Sequence, residues 1–156
     1  QVNDFKLFQP KPAYRMNGYQ SNTKTEGTNH AAGVQIFYFL KEFDAKEDTV
    51  ELVLMEDDGD VIRKFSTHSK EKNERLKVEK GGNTFGWNMN YPNAKSFDGM
   101  VNWWSSLAGP KSVPGTYKVS LSINGKEQVQ SFEILADPRS EATLEDMQAQ
   151  FDFLLA

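Results

Sequence analysis

Cysteine is missing from all 156 residues. Its absence excludes a disulfide scaffold, thiolate zinc sites and cysteine nucleophiles together, although it does not set the compartment. Long apolar runs are missing too: nothing approaches the roughly 18 residues that a membrane-spanning helix requires, so no membrane insertion is expected. Basic charge is not in excess. With 18 Lys and Arg against 22 Asp and Glu, the net charge of −4 leaves no basic stripe of the kind nucleic acid needs.

Motifs for catalysis are equally scarce. The two histidines, His30 and His68, lie far apart in polar stretches, and no Gly-x-Ser-x-Gly elbow accompanies them. Gly81-Gly82 leads into a strand pattern rather than a helix, so it is not a phosphate-binding loop. Asp57, Asp58 and Asp60 crowd one short turn but lack the longer loop and terminal Glu of an EF-hand. Neighbouring acids such as Glu145 and Asp146 occur, yet glycosidase chemistry needs two carboxyls facing each other across a cleft. The expectation is a protein that is not an enzyme, with no catalytic residues, no cofactor and no metal.

What is present is alternation. Val34, Ile36, Tyr38 and Leu40 share one face of a strand, with Phe37 and Phe39 on the other, which predicts cover on both sides. Val50, Leu52 and Leu54 repeat the pattern, and Asp58-Gly59 turns the chain into Val61 to Phe65. A polar strand is expected over 75–79, then a strand from Thr84 to Asn90 after the Gly81-Gly82 break. The clearest hairpin places Tyr117, Val119, Leu121 and Ile123 inward, turns at Asn124-Gly125, and returns over 126–135. Val129 is out of phase with Phe132 and Ile134, which predicts a bulge or a twist between them.

Two segments depart from this rhythm. Residues 9–32 are rich in Pro, Gly, Asn, Ser and Thr and read as a long wrapping loop. From Thr143 the pattern turns helical: Thr143 and Asp146 resemble a capping box, and Leu144, Met147, Phe151, Leu154 and Leu155 form one apolar stripe. The domain reading is therefore a β-sandwich over 1–139 and an amphipathic helical tail over 140–156. The fold class expected is all-β, an immunoglobulin or fibronectin-III-like sandwich with a short C-terminal α-helix. At this length a domain buries roughly 68–70% of its unfolded surface, enough without a staple. The start at Gln1 reads as a mature protein or a piece of a longer one, and the stop at Ala156 as the cut of a longer helix.

The aromatic residues Trp87, Tyr91, Trp103 and Trp104 are the candidate ligand or interface residues. A row of such rings can stack on sugar faces. Adjacent residues of an extended strand point to opposite sides, however, so Trp103 and Trp104 cannot share one flat platform if their segment is extended. Core or interface packing is the favoured role, and carbohydrate binding the alternative.

The stretch "TFGWNMNYPNAKSFDGMVNWWSSLAGPKSVPGTYKVSLSINGKEQVQSFEILADPRS" resembles the C-terminal immunoglobulin-like domain of bacterial sortilin-like proteins, large secreted chains with BNR-type β-propeller repeats that are often labelled glycosyl hydrolases. The resemblance runs from Phe8-Gln9-Pro10 to the helix, and its most specific parts are Phe85-Gly86-Trp87 with Tyr91-Pro92, Gly109-Pro110, Pro114-Gly115-Thr116-Tyr117 and Asp137-Pro138-Arg139. Asn88 and Asn90 stand where that family tends to have Asp and Arg, so any ion pair that its members build there is missing. The turn before the first long strand, usually proline-rich, reads Asn29-His30-Ala31-Ala32-Gly33. The resemblance implies a non-catalytic accessory domain that packs against a neighbouring β-propeller of the same chain. It also implies a secreted, periplasmic or cell-surface bacterial location. The hydrolase label does not extend to these residues.

Overall fold

Alternation becomes two facing sheets in the computed structural model, which describes residues 4–16, 25, 32–94 and 107–155. In chain order the strands are β1 (Phe5–Leu7), β2 (Ala13–Tyr14), β3 (Val34–Leu40), β4 (Val50–Glu56), β5 (Val61–Ser66), β6 (Gly81–Trp87), β7 (Gly115–Ile123) and β8 (Lys126–Leu135), followed by helix α1 (Leu144–Leu155). One sheet has the order β1-β3-β6 and the other β2-β8-β7-β4-β5. The result is an all-β, sandwich-like fold with one short C-terminal helix.

The core is the sum of the inward faces. Val34, Ile36, Tyr38 and Leu40 from β3 meet Val50, Leu52 and Leu54 from β4, Val119 and Leu121 from β7, and Phe132 and Ile134 from β8. Each such side chain contributes about 1.5–3 kcal/mol when fully removed from water. The outer face of β3, expected to be covered, is covered only in part: Phe39 is half-buried while Phe37 is 47% exposed.

Turn chemistry holds the hairpins. Asn124 and Gly125 both adopt positive φ, 48° and 84°, the requirement of a tight primed turn. Between β4 and β5, the amide of Glu56 donates to the carbonyl of Asp60 (2.9 Å) and Gly59 takes φ 102°.

Several boundaries differ from the sequence reading. Of the bulge or twist expected near Val129, the bulge is absent: β7 and β8 pair without a shift from Gly115↔Ile134 to Ile123↔Lys126. Val129 faces outward, and the inward places beside it belong to Gln128 and Gln130. Their amides bond the backbone of β1 in the other sheet: Leu7 N–H donates to Gln128 Oε1 (2.9 Å), Gln128 Nε2 donates to Phe5 O (3.0 Å), and Gln130 Nε2 donates to Leu7 O (3.5 Å). Polar residues stand in the core phase because they tie two sheets together. The irregularity lies instead between β4 and β5, where Leu54 pairs with Arg63 but Met55 with Val61.

The polar strand expected over 75–79 reduces to one parallel bridge, Ser66↔Arg75. β6 takes in both glycines and ends at Trp87, since its length matches the seven residues of β3. Within the segment read as a wrapping loop, Ala13–Tyr14 pairs in parallel with β8, and most of the rest lies outside the described residues. β1 and β2 are too short to leave a period in the sequence.

Candidate functional site

The aromatic residues converge where β6 ends. Trp87 is 2% exposed, its indole N–H donates to Asn90 O (3.1 Å), and its ring meets Tyr117 and Phe132 edge-on at 6.1 and 6.2 Å. Tyr117 and Phe132 stack at 6.1 Å. Met89 then takes φ 66°, turning the chain, and its carbonyl accepts both the amide (2.7 Å) and the hydroxyl (2.8 Å) of Ser112. That turn aims Tyr91 back over the sandwich end.

Tyr91 is buried too. Its hydroxyl donates to Glu56 Oε1 at 2.5 Å, and its ring packs edge-on against Phe151 of α1 at 4.7 Å. Burial, reinforced by the bond to the Glu56 carboxylate, pushes the phenol well above its ordinary range. Tyr117 is raised by the same desolvation, and its hydroxyl donates to Val113 O at 2.7 Å. A sugar platform needs ring faces in solvent, and neither Trp87 nor Tyr91 presents one. Trp103 and Trp104 lie outside the described residues.

Helix α1 begins as its sequence dictates. Asp146 N–H donates to Thr143 Oγ1 (3.1 Å), and Thr143 N–H donates back to Asp146 Oδ2 (2.9 Å), a reciprocal capping box. The Thr143 hydroxyl (2.7 Å) and then its amide, both donating to Asp146 Oδ2, hold that carboxyl below its usual value. Met147 and Phe151 are buried, but the rest of the predicted stripe, Leu144, Leu154 and Leu155, is exposed. On the opposite side Phe153 is 81% exposed. The helix thus docks by two residues and leaves four large apolar ones in water.

Away from these aromatics a cleft of about 310 Å³ opens, lined by Asp4, Phe5, Lys41, Glu42, Asp48, Ile123, Asn124 and Lys126. Lys126 pairs with Asp4 at 2.7 Å and holds its carboxyl low. Asp48 accepts bonds from the Asp44 amide (2.7 Å) and Asn124 Nδ2 (2.8 Å), which lower it as well. Neither carboxyl is poised to donate a proton near neutral pH, the property a general acid requires. His68 Nε2 lies 3.2 Å from Asp48 O on the exposed rim, and His30 is outside the described residues.

The acidic turn is closed on itself: Asp58 Oδ1 accepts the Asp60 amide (3.1 Å) and Asp57 pairs with Lys118 (3.2 Å). Among the described residues no three His, Asp or Glu side chains converge as a metal site would need, and no helix is long and apolar enough to cross a membrane. Glu56, the partner of Tyr91, escaped the sequence reading, because nothing local ties the end of β4 to a residue 35 positions later. No protein-family model matches the chain, and no curated protein sequence matches it significantly.

Proposed function

We propose that the chain is a non-catalytic, immunoglobulin-like accessory module of a larger secreted protein, and that it works by packing against a neighbouring domain. The observation that carries this reading is the apolar surface of α1. Leu144, Phe153, Leu154 and Leu155 are exposed on a helix anchored to the sandwich by Met147 and Phe151. Four large apolar side chains left in water on one docked, twelve-residue helix favour cover by another protein.

The immunoglobulin-like type draws support from topology. The sheets β1-β3-β6 and β8-β7-β4-β5 follow the A-B-E and G-F-C-C′ orders of such domains, with β2 added in parallel beside β8. Tyr117, near the start of β7, bonds back to Val113 in the manner of a tyrosine corner. On the resemblance to the C-terminal domain of sortilin-like proteins, the neighbour proposed is a β-propeller and the proposed location is outside the cytoplasm. Asp4 and Asp48 of the cleft, each held low by its partners, do not offer the general acid that glycoside hydrolysis needs, which favours a packing role.

Amide exchange of α1 in this chain, compared with the product of its full reading frame, tests the reading. Protection of 144–155 should rise in the longer protein. Unchanged exchange there, or a reading frame with no second domain, would defeat the proposal.

A further inference from the structure

Among the described residues four strands form the sheet edges, and three of them are guarded. β1 is three residues long and carries Lys6, β2 has two residues, and β5 is interrupted at Ile62 and carries Arg63 and Lys64. Shortness, charge and bulges are the usual devices that keep an edge from pairing with another chain. β6 has none of them. It runs seven residues, GGNTFGW, without charge or proline, and pairs with β3 in unbroken register from Val34↔Trp87 to Leu40↔Gly81.

Hydrogen bonds elsewhere in that sheet determine which groups of β6 are free. Phe8 N–H donates to Phe37 O and Lys41 N–H to Asp4 O, both at 3.0 Å. Phe37 and Lys41 therefore direct their backbone toward β1, and by alternation Ile36, Tyr38 and Leu40 direct theirs toward β6. The partners of those residues are Phe85, Asn83 and Gly81. Gly82, Thr84 and Gly86 then point their amides and carbonyls away from the sheet. Among the described residues no hydrogen bond reaches these groups.

The two glycines are not explained by the fold. Neither has positive φ. A Cβ at Gly82 would meet nothing within 4 Å, and one at Gly86 would meet only the Gln35 side chain, at 3.3 Å. Glycine weakens a strand interior, and there it often marks a close approach by another backbone.

We propose that β6 pairs antiparallel with β6 of a second copy, about a twofold axis through Thr84. The chain supplies its own best partner strand. This register sets Thr84 against Thr84 and Gly82 against Gly86, so every outward amide and carbonyl of the three residues is satisfied. Opposed threonines are a favourable cross-strand pair, and glycine opposite glycine removes any obstruction. Charge agrees: Glu79 and Lys80 precede β6 and Asn88, Met89 and Asn90 follow it, so the charged end of one copy meets the uncharged end of the other. The contact is self-complementary, as a twofold dimer requires. It joins two three-stranded sheets into one of six strands.

Sedimentation equilibrium over a wide concentration range tests this, together with Thr84→Lys, Thr84→Glu and Gly82→Val. The unaltered chain should rise from monomer mass toward double that mass. Thr84→Lys and Thr84→Glu should each associate at least about tenfold more weakly, and their equimolar mixture should regain association, since unlike charges then face each other. Gly82→Val should melt no lower than the parent yet associate less, which separates lost pairing from lost folding. Monomer mass at every concentration would overturn the proposal and leave the edge to an extended segment of another protein. Association that is indifferent to Thr84→Lys would overturn it equally, transferring the contact to a surface such as α1.

Discussion

Tyr91 and Phe151 face each other edge-on at 4.7 Å, with ring planes 73° apart, and this pair joins helix α1 to the sandwich. The Tyr91 hydroxyl is meanwhile held by Glu56 at the end of β4. One tyrosine thus links the second sheet, the segment after β6 and the helix.

Removing that link should release the helix and spare the sheets. Phe151→Ala should cost about 3 kcal/mol of docking, and a helix of 12 residues is marginal alone in water. Phe151→Asp should be worse. Limited proteolysis should then cut within 144–155 while the remaining domain resists. Equal protease resistance of α1 in parent and variant would show that Phe151 is not its anchor.

Gln128 should matter as a core residue would. Gln128→Ala leaves Leu7 N–H and Phe5 O without their partner, at about 1–3 kcal/mol for each buried group left unpaired. Denaturant midpoints should fall, and amide exchange should accelerate first at Leu7. Gln128→Leu, though more apolar, should not rescue it.

Three tyrosines should titrate late. Burial pushes Tyr38 up to about 12 and raises Tyr91 and Tyr117 as well. The folded state therefore favours the neutral phenols. Their contribution to stability is complete below the ordinary tyrosine value of about 10 and is lost as pH rises toward the folded-state values. Phenolate absorbance should thus appear for these three in step with unfolding, and Tyr91→Phe should remove part of the signal. Full ionisation of all tyrosines near the ordinary value with the fold intact would contradict their placement.

Glycan arrays and common glycoside substrates should give no reproducible binding or turnover. Trp87 and Tyr91 offer no free ring face, and the cleft acids Asp4 and Asp48 are held ionised by their partners. A glycan hit abolished by Trp103→Ala or Trp104→Ala, but not by Trp87→Ala, would instead favour the carbohydrate-binding alternative.

Periodicity by itself determined the long strands, the inward faces of β3, β4 and β7, the Asn124-Gly125 turn and the capped start of α1. These are local consequences: side-chain direction alternates along a strand, positive φ selects glycine and asparagine, and a cap needs only three residues of spacing. Tertiary structure decided the rest. β1 and β2 form only because β3 and β8 offer them a ladder, and Gln128 and Gln130 turn inward because β1 brings polar backbone to meet them. Alternation says that Phe37 and Tyr38 point opposite ways, but it cannot say that one face meets a second sheet and the other meets water. For the same reason a tryptophan at position 87 reads in sequence as a candidate for a ligand, and becomes core only when β7, β8 and the Asn90 carbonyl close around it.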